Sequence, residues 1–156
     1  MPMRLEVDDL TRPQVVALLE EHLSDMYATT PPESVHALDL DALRAPGVTF
    51  WSAWEGERLL GCAALVVGQE TGVGELKSMR TAAAARGRGV GAAVLAYVLE
   101  QARAAGLTTV RLETGAEAYF APARRLYERH GFVRRGPFGD YTDDPLSVFY
   151  ELDLTR

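Results

Sequence analysis

The sequence predicts an α+β fold, a mixed and mostly antiparallel sheet with helices on its faces, and three observations carry that prediction. Runs of β-branched and aromatic residues, separated by glycine-bearing turns, fill the middle of the chain. Segments with apolar residues at three- and four-residue spacing flank them. No linker, repeat or low-complexity tract divides the 156 residues, so a single domain over 1–156 is expected. With 47% apolar and 24% charged residues the composition is that of a globular chain long enough to bury a core.

Met3 to Val7 reads as a short strand. Thr11-Arg12-Pro13-Gln14 matches a capping box, a hydroxyl with Gln three residues on, so a helix is expected to start there. Val15, Leu18, Leu19, Leu23 and Met26 put an apolar stripe on it as far as Tyr27. Thr30-Pro31-Pro32-Glu33 repeats the capping pattern with proline in the first turn. It predicts helix through Val35 and Leu38, restarting after Asp39 and stopping before Pro46-Gly47. Val48 to Trp54 and Arg58 to Val67 form a hairpin, and Gly68 to Gly72 turns the chain into a third antiparallel strand, Val73 to Thr81. Val90, Val94, Leu95, Val98, Leu99 and Ala102 mark a helix ending at Gly106. Thr108 to Glu113 is a strand, Glu117 to His130 a helix closed by Gly131, and Phe132 to Arg135 and Ser147 to Leu154 are the last two strands.

A net charge of −6 argues against coating a nucleic acid, which relies on many lysines and arginines facing phosphates. The longest apolar stretches, such as Cys62 to Val67, are far too short to span a bilayer, and the N-terminus has no basic flank leading into an apolar block. A cytoplasmic protein without membrane or nucleic-acid partners is expected. Cys62 has no cysteine partner and no adjacent histidine, so it reads as buried filler and not as a nucleophile. His22, His36 and His130 have no metal-ligand spacing, so no metal is expected, and His130 reads as a helix C-terminal residue.

The segment Arg86-Gly87-Arg88-Gly89-Val90-Gly91 sets three glycines between a strand and an amphipathic helix. Glycine lets backbone N–H groups turn toward one point, and a helix N-terminus adds unsatisfied donors and partial positive charge, so the natural occupant is an anion. From Leu76 to Leu99 the chain carries Lys77, Arg80, Arg86 and Arg88 and no acid, in a protein that is acidic elsewhere. No Gly-Lys-Ser or Gly-Lys-Thr is present, which excludes a P-loop, and the glycines follow a meander in mid-chain where a dinucleotide fingerprint would follow an early parallel strand.

These residues resemble the GCN5-related N-acetyltransferases, the GNAT superfamily. Arg86, Gly89 and Gly91 fit its cofactor motif of Arg or Gln, two residues, Gly, one residue, Gly or Ala. The helix ending Ala123-Arg124-Arg125-Leu126-Tyr127, followed by Gly131-Phe132, is similar to its later signature. The resemblance covers most of residues 48–154 and implies a GNAT-like sheet flanked by about four helices. It implies that acetyl-CoA binds as co-substrate on Arg86, Gly87, Arg88, Gly89, Val90, Gly91 and Ala92, with its pantetheine arm along the strand edge at Met79, Arg80 and Thr81. Ala83 stands where the family often has proline. Phe120 stands where many members have an asparagine that contacts the pantetheine.

Acyl transfer to an amine requires a base for the amine, polarisation of the carbonyl and a proton for the departing thiolate. The resemblance gives the last role to Tyr127, whose place on the stripe with Phe120 and Ala123 equally suits a core residue. Glu75 on the third strand of the meander and Glu113 at the end of the following strand are the candidate bases, and Glu75 is preferred because related enzymes often place a base on that strand. The polarising N–H is expected near Met79 to Thr81. The strings Pro31 to Asp39, Lys77-Ser78-Met79-Arg80-Thr81 and Gly136-Pro137-Phe138…Tyr141 resemble a bacterial subgroup of unassigned substrate, which makes Ser34, His36, Lys77, Arg80 and Tyr141 candidate acceptor contacts. If Lys77 and Arg80 face the cleft, an acceptor with a carboxylate fits, whereas a polycation would prefer an acid-lined groove. The expected function is direct acetyl transfer to a primary amine of a small or amino-acid-like molecule. The alternatives are a non-catalytic acyl-CoA-binding regulatory module and a protein-lysine acetyltransferase with an open groove. The C-terminal strands also offer an edge on which a second copy can pair into a homodimer.

Overall fold

A computed structural model describes residues 2–156. Its strands are β1 (Arg4–Val7), β2 (Val48–Glu55), β3 (Arg58–Val67), β4 (Val73–Thr81), β5 (Thr109–Gly115), β6 (Val133–Arg135) and β7 (Ser147–Asp153). Its helices are α1 (Pro13–Thr29), α2 (Leu40–Leu43), α3 (Val90–Ala104) and α4 (Ala121–Arg129). The strands form one sheet in the order β1-β2-β3-β4-β5-β7-β6, antiparallel throughout except for β4 beside β5. The crossover through α3 makes that one parallel pair.

Period-two alternation divides the core between the two faces of the sheet. Phe50, Trp54, Cys62 and Ala64 pack with Val15, Leu18 and Leu19 of α1 and Leu43 of α2. Trp51, Ala53, Ala63, Leu65, Leu76, Val110 and Leu112 pack with Val94, Leu95, Val98 and Leu99 of α3 and Tyr127 of α4. No helix of the described residues is long and apolar enough to cross a membrane.

Two expected helix starts are not formed as the capping pattern suggests. The Thr11 hydroxyl bonds Asp9 (2.6 Å), and α1 opens on Pro13 with Arg12 before it and no side-chain cap. Thr30 ends α1, its N–H donating to the Met26 carbonyl (2.9 Å). A residue before proline is pushed out of the helical region, and both Thr30 and Pro31 are extended. Only a 3₁₀ turn, Pro32–Ser34, follows, so the helix expected through Val35 and Leu38 is absent and that stretch runs irregularly to α2. There Asp39 is the working cap, its carboxylate accepting from the Ala42 N–H (2.9 Å). The helix expected from Glu117 starts as a 3₁₀ turn, Ala118–Phe120, before α4.

A buried polar cluster fixes the entry of α1 onto the sheet. The Asp8 carboxylate accepts from the Ser52 hydroxyl (2.6 Å) and from the N–H of Leu10 (2.8 Å), a residue held at φ +65°. The Trp54 indole donates in turn to the Ser52 oxygen (2.7 Å). Asp8→Ala leaves two buried donors without their acceptor and is expected to lower unfolding free energy by about 2–4 kcal/mol, measured by urea denaturation. A loss under about 1 kcal/mol contradicts this role for the cluster.

Candidate active site

β4 and β5 are paired only at Val73–Thr109, Gly74–Val110 and Glu75–Arg111. Beyond Glu75, β4 continues to Thr81 beside β3 alone, while β5 continues to Gly115 beside β7. The two strands diverge, and a cavity of about 410 Å³ opens between them. One edge of Leu76 to Thr81 is thereby left without a strand partner among the described residues, with its backbone donors and acceptors toward the cavity.

A bulge re-aims that edge. Cys62 pairs with Arg80 and Ala64 with Lys77, so β4 carries one residue more than β3 across this interval. Ser78 takes the strain at φ +53°, and its carbonyl receives the Cys62 thiol (3.3 Å). Burial pushes that thiol up to about 12, so Cys62 stays protonated and packs as filler. The Ser78 hydroxyl and Arg80 Nε are buried in this same wall with no hydrogen-bond partner among the described residues.

After β4 the chain passes through the turn Ala83–Ala85 and reaches α3 with Gly87 and Gly89 both at φ +78°. Gly89 precedes the first helical residue, and Ala93 bonds back to its carbonyl (3.1 Å). The N–H groups of Val90, Gly91 and Ala92 therefore form the unsatisfied first turn. A Cβ on Gly91 would sit 3.3 Å from Leu126 and 3.7 Å from both Met79 and Thr81, so the bare glycine keeps the passage between α3, α4 and β4 open. Of the residues expected at the cofactor, Met79, Arg80, Thr81, Arg86 and Gly91 line the cavity; Gly87, Arg88, Gly89, Val90 and Ala92 continue from it along the loop and helix start. The Arg88 side chain turns to Glu55 (3.2 Å).

The Arg80 side chain is committed elsewhere. It bonds Glu21 (2.6 Å) and Asp25 (2.5 Å) of α1, with His22 Nδ1 and the Tyr119 hydroxyl at 3.5 and 3.4 Å. Two carboxylates neutralise it, which removes it as an acceptor contact. His22 faces the cavity from α1, and burial beside the Arg80 charge pulls it down to about 4, so it is neutral at physiological pH. Its signal in the sequence is a polar residue on the apolar stripe, three after Leu19 and four before Met26.

At the other end of the cavity stand Ser34, Val35, His36, Lys77, Glu113 and Leu146. The segment after α1 is stitched across it: Thr30 to Glu117 (3.0 Å) and Ser34 to Asp144 (2.6 Å). Tyr141 lies behind Lys77, accepting from its ammonium (2.7 Å) and donating to Glu75 (2.6 Å), with the His36 ring edge-on at 5.0 Å. Glu75 is 6% exposed, held by Tyr141 and by Lys77 at 3.4 Å, and is not among the cavity-lining residues. Glu113 is among them. Burial pushes it up to about 7, with the Glu75 and Asp144 charges adding to the rise and the Lys77 charge opposing it. Tyr127 lines the same cavity from α4, its ring against Phe132 and Tyr150. Burial, with the Glu113 charge, holds its phenol well above the usual range, so it keeps its proton.

The Phe120 ring also lines the cavity and covers Gly115, where a Cβ would come within 2.1 Å of it. An aromatic wall stands here in place of a side-chain amide.

A sheet parted beside a glycine-led helix, with two ionisable side chains in the gap, brings a free strand edge and a helix N-terminus to one cavity. The model of the acetyltransferase (GNAT) family matches residues 15–132, and the chain belongs to that family and is an N-acetyltransferase. It is 52% identical over 147 residues, 94% of this chain and 97% of the other, to the uncharacterized N-acetyltransferase YsnE of Bacillus subtilis strain 168. A crystal structure from Klebsiella pneumoniae, given provisionally as an acyl-CoA N-acyltransferase, is 29% identical with a TM-score of 0.77, covering 97% of each chain. A Bacillus subtilis acetyltransferase crystallised with CoA shares the fold at 18% identity and a TM-score of 0.66, covering 97% of this chain and 99% of that one.

Gly89→Ala places a side chain at a left-handed position and is expected to lower stability by about 1–2 kcal/mol by thermal or urea unfolding. Calorimetry should also show CoA affinity reduced by about tenfold or more through misdirected donors of the α3 first turn. Unchanged CoA affinity contradicts the role given to this turn.

Proposed function

We propose that the protein transfers the acetyl group of acetyl-CoA directly to a primary amine of a small molecule, with Glu113 as base and Tyr127 as acid. The observation that carries this reading is that Glu113 and Tyr127 line one cavity beside the free edge of β4. The residues fit the co-substrate: the first turn of α3 with Gly87 and Gly89 suits the diphosphate, Gly91 leaves the room a Cβ would fill, and the edge from Lys77 to Thr81 suits the amides of an extended arm. Acetyl-CoA supplies the acetyl group as a thioester.

Glu113, titrating about 7, accepts the proton that an ammonium acceptor must lose before its lone pair can attack. Main-chain N–H groups of the β4 bulge near Met79 are the donors for the oxygen that gains charge as the amine adds. Tyr127 keeps its proton at physiological pH and hydrogen-bonds the sulfur; because burial disfavours its phenolate, the proton passes to the thiolate only as the C–S bond breaks, and the tyrosine is reprotonated from solvent. Glu113 is preferred to Glu75 as base because Glu75 is occupied by Tyr141 and Lys77 and stands behind the cavity wall. The small-molecule acceptor is preferred to a protein lysine because the acceptor end is bridged by Thr30–Glu117, Ser34–Asp144 and Lys77–Tyr141. A cytoplasmic location accords with this reading.

Thiol-release kinetics test it. A base with a pKa of about 7 must be unprotonated to act, so kcat/KM should rise with pH through about 7. Glu113→Gln should lower kcat by about 10²-fold or more and abolish that limb, while Glu75→Gln should retain it. Tyr127→Phe should lower kcat by about 10-fold or more while CoA affinity stays within about twofold. Retention of the limb in Glu113→Gln, or its loss only in Glu75→Gln, contradicts the assignment of the base.

A further inference from the structure

We infer that the acceptor carries a carboxylate next to its amine, held by the Lys77 ammonium, and that the rest of its surface is apolar. The inference rests on the acetyl-transfer reading above and names the substrate class of that site. Six ionisable side chains other than tyrosines line the cavity among the described residues: His22, His36, Lys77, Arg80, Arg86 and Glu113. Arg80 is neutralised by Glu21 and Asp25, and Arg86 is exposed at the start of the glycine-led turn, its charge acting on Asp25. His22 and His36 are both held below the usual histidine range by burial and by the neighbouring Arg80 and Lys77 charges, respectively. Lys77 is then the fixed charge offered at the acceptor end.

Its surroundings leave it able to take a ligand. The Lys77 side chain is 12% exposed, and an ammonium has three donors. One goes to the Tyr141 oxygen at 2.7 Å. A second reaches Glu75 Oε2 at 3.4 Å, the same oxygen that receives the Tyr141 hydroxyl at 2.6 Å. The third has no protein partner among the described residues, so a ligand carboxylate at the cavity wall can take it while the Glu75 carboxylate stays paired with Lys77 from the other side at 3.4 Å. Tyr141, Glu75 and the His36 ring packed on Tyr141 hold the chain from behind, so Lys77 is aimed before a ligand arrives.

The placement of the base completes the match. Lys77 on β4 and Glu113 on β5 face the cavity from its two diverging walls, so an anion on Lys77 leaves an adjacent amine toward Glu113. The positive charge of Lys77 also disfavours the ammonium form of that amine and repels polycations. Met26, Val35, Ala37 and Leu146 supply the remaining wall and suit an aliphatic or aromatic side chain. The acceptor class is thus an apolar amino acid or a close amino-carboxylate analogue.

The test compares phenylalanine, leucine and methionine with phenethylamine, isoamylamine and 3-(methylthio)propylamine as acceptors in a thiol-release assay with acetyl-CoA. The wild-type enzyme should favour the amino acids in kcat/KM. Lys77→Met should reduce the ratio of amino acid to matched amine by about tenfold or more, and Lys77→Arg, which keeps the charge, should hold it closer to wild type. Calorimetry with CoA on each variant establishes that the fold and the donor site persist. A wild-type preference for the amines, a ratio indifferent to Lys77→Met, or no acetylation of any of the six overturns the inference. In those cases CoA binding together with turnover of some other amine leaves the transferase reading standing, whereas absence of CoA binding removes both.

Discussion

The parting of β4 from β5 after Glu75 and Arg111 is the constraint on which the rest of the molecule depends. Parallel strands ordinarily stay paired and buried by the helices that connect them. Here pairing stops after three residues, and what would be a ladder becomes a free backbone edge on one side and a wall of side chains on the other. The extra residue of β4 at Ser78 turns the edge, with a left-handed serine as its local strain. The gap stays open because both ends are propped. Glycine at 91 and the Leu126 side chain meet at one end, and Tyr141 braces Lys77 and Glu75 at the other.

Charge follows the same division. The protein is acidic, yet the chain from Leu76 to Leu99 is free of acids, and the carboxylates near the cavity are each given a task. Glu21 and Asp25 neutralise Arg80, Glu75 anchors Tyr141, and Asp144 takes the Ser34 hydroxyl. Among the described residues Glu113 alone of the acids faces the cavity, and its burial beside Glu75 and Asp144 is what brings its titration to about 7. The same burial keeps Tyr127 protonated. Burial thus raises the proton affinity of both groups, and one cavity holds a carboxyl that titrates about 7 beside a phenol that stays protonated.

Most of the fold was legible because its signals are local. The hairpins announce themselves through Gly56 and Gly68 to Gly72, and α3 through its stripe from Val90 to Ala102 and the glycines before it. The helix starts at Thr11 and Thr30 were misread because a capping pattern describes only the side chains. The prolines at 31 and 32 impose extended backbone on the residues before them, and Asp9 takes the Thr11 hydroxyl. In the site, the residues of the glycine turn and Tyr127 carry a recognisable spacing. The choice between Glu75 and Glu113 does not, because it turns on which strand edge borders the gap and on a partner, Tyr141, sixty-six positions away. Arg80 illustrates the same limit: its sequence neighbourhood is basic, and only the packing of α1 shows that two acids fifty-five and fifty-nine positions away cancel it.

The most direct test of the central claim is amide hydrogen exchange with and without CoA. The parted-strand account predicts slowed exchange in two separate stretches, the β4 edge around Met79 to Thr81 and the turn from Gly87 to Ala92, with the β2–β3 hairpin unchanged. Exchange unaltered by CoA in both stretches, or slowed only at some other surface, would contradict it.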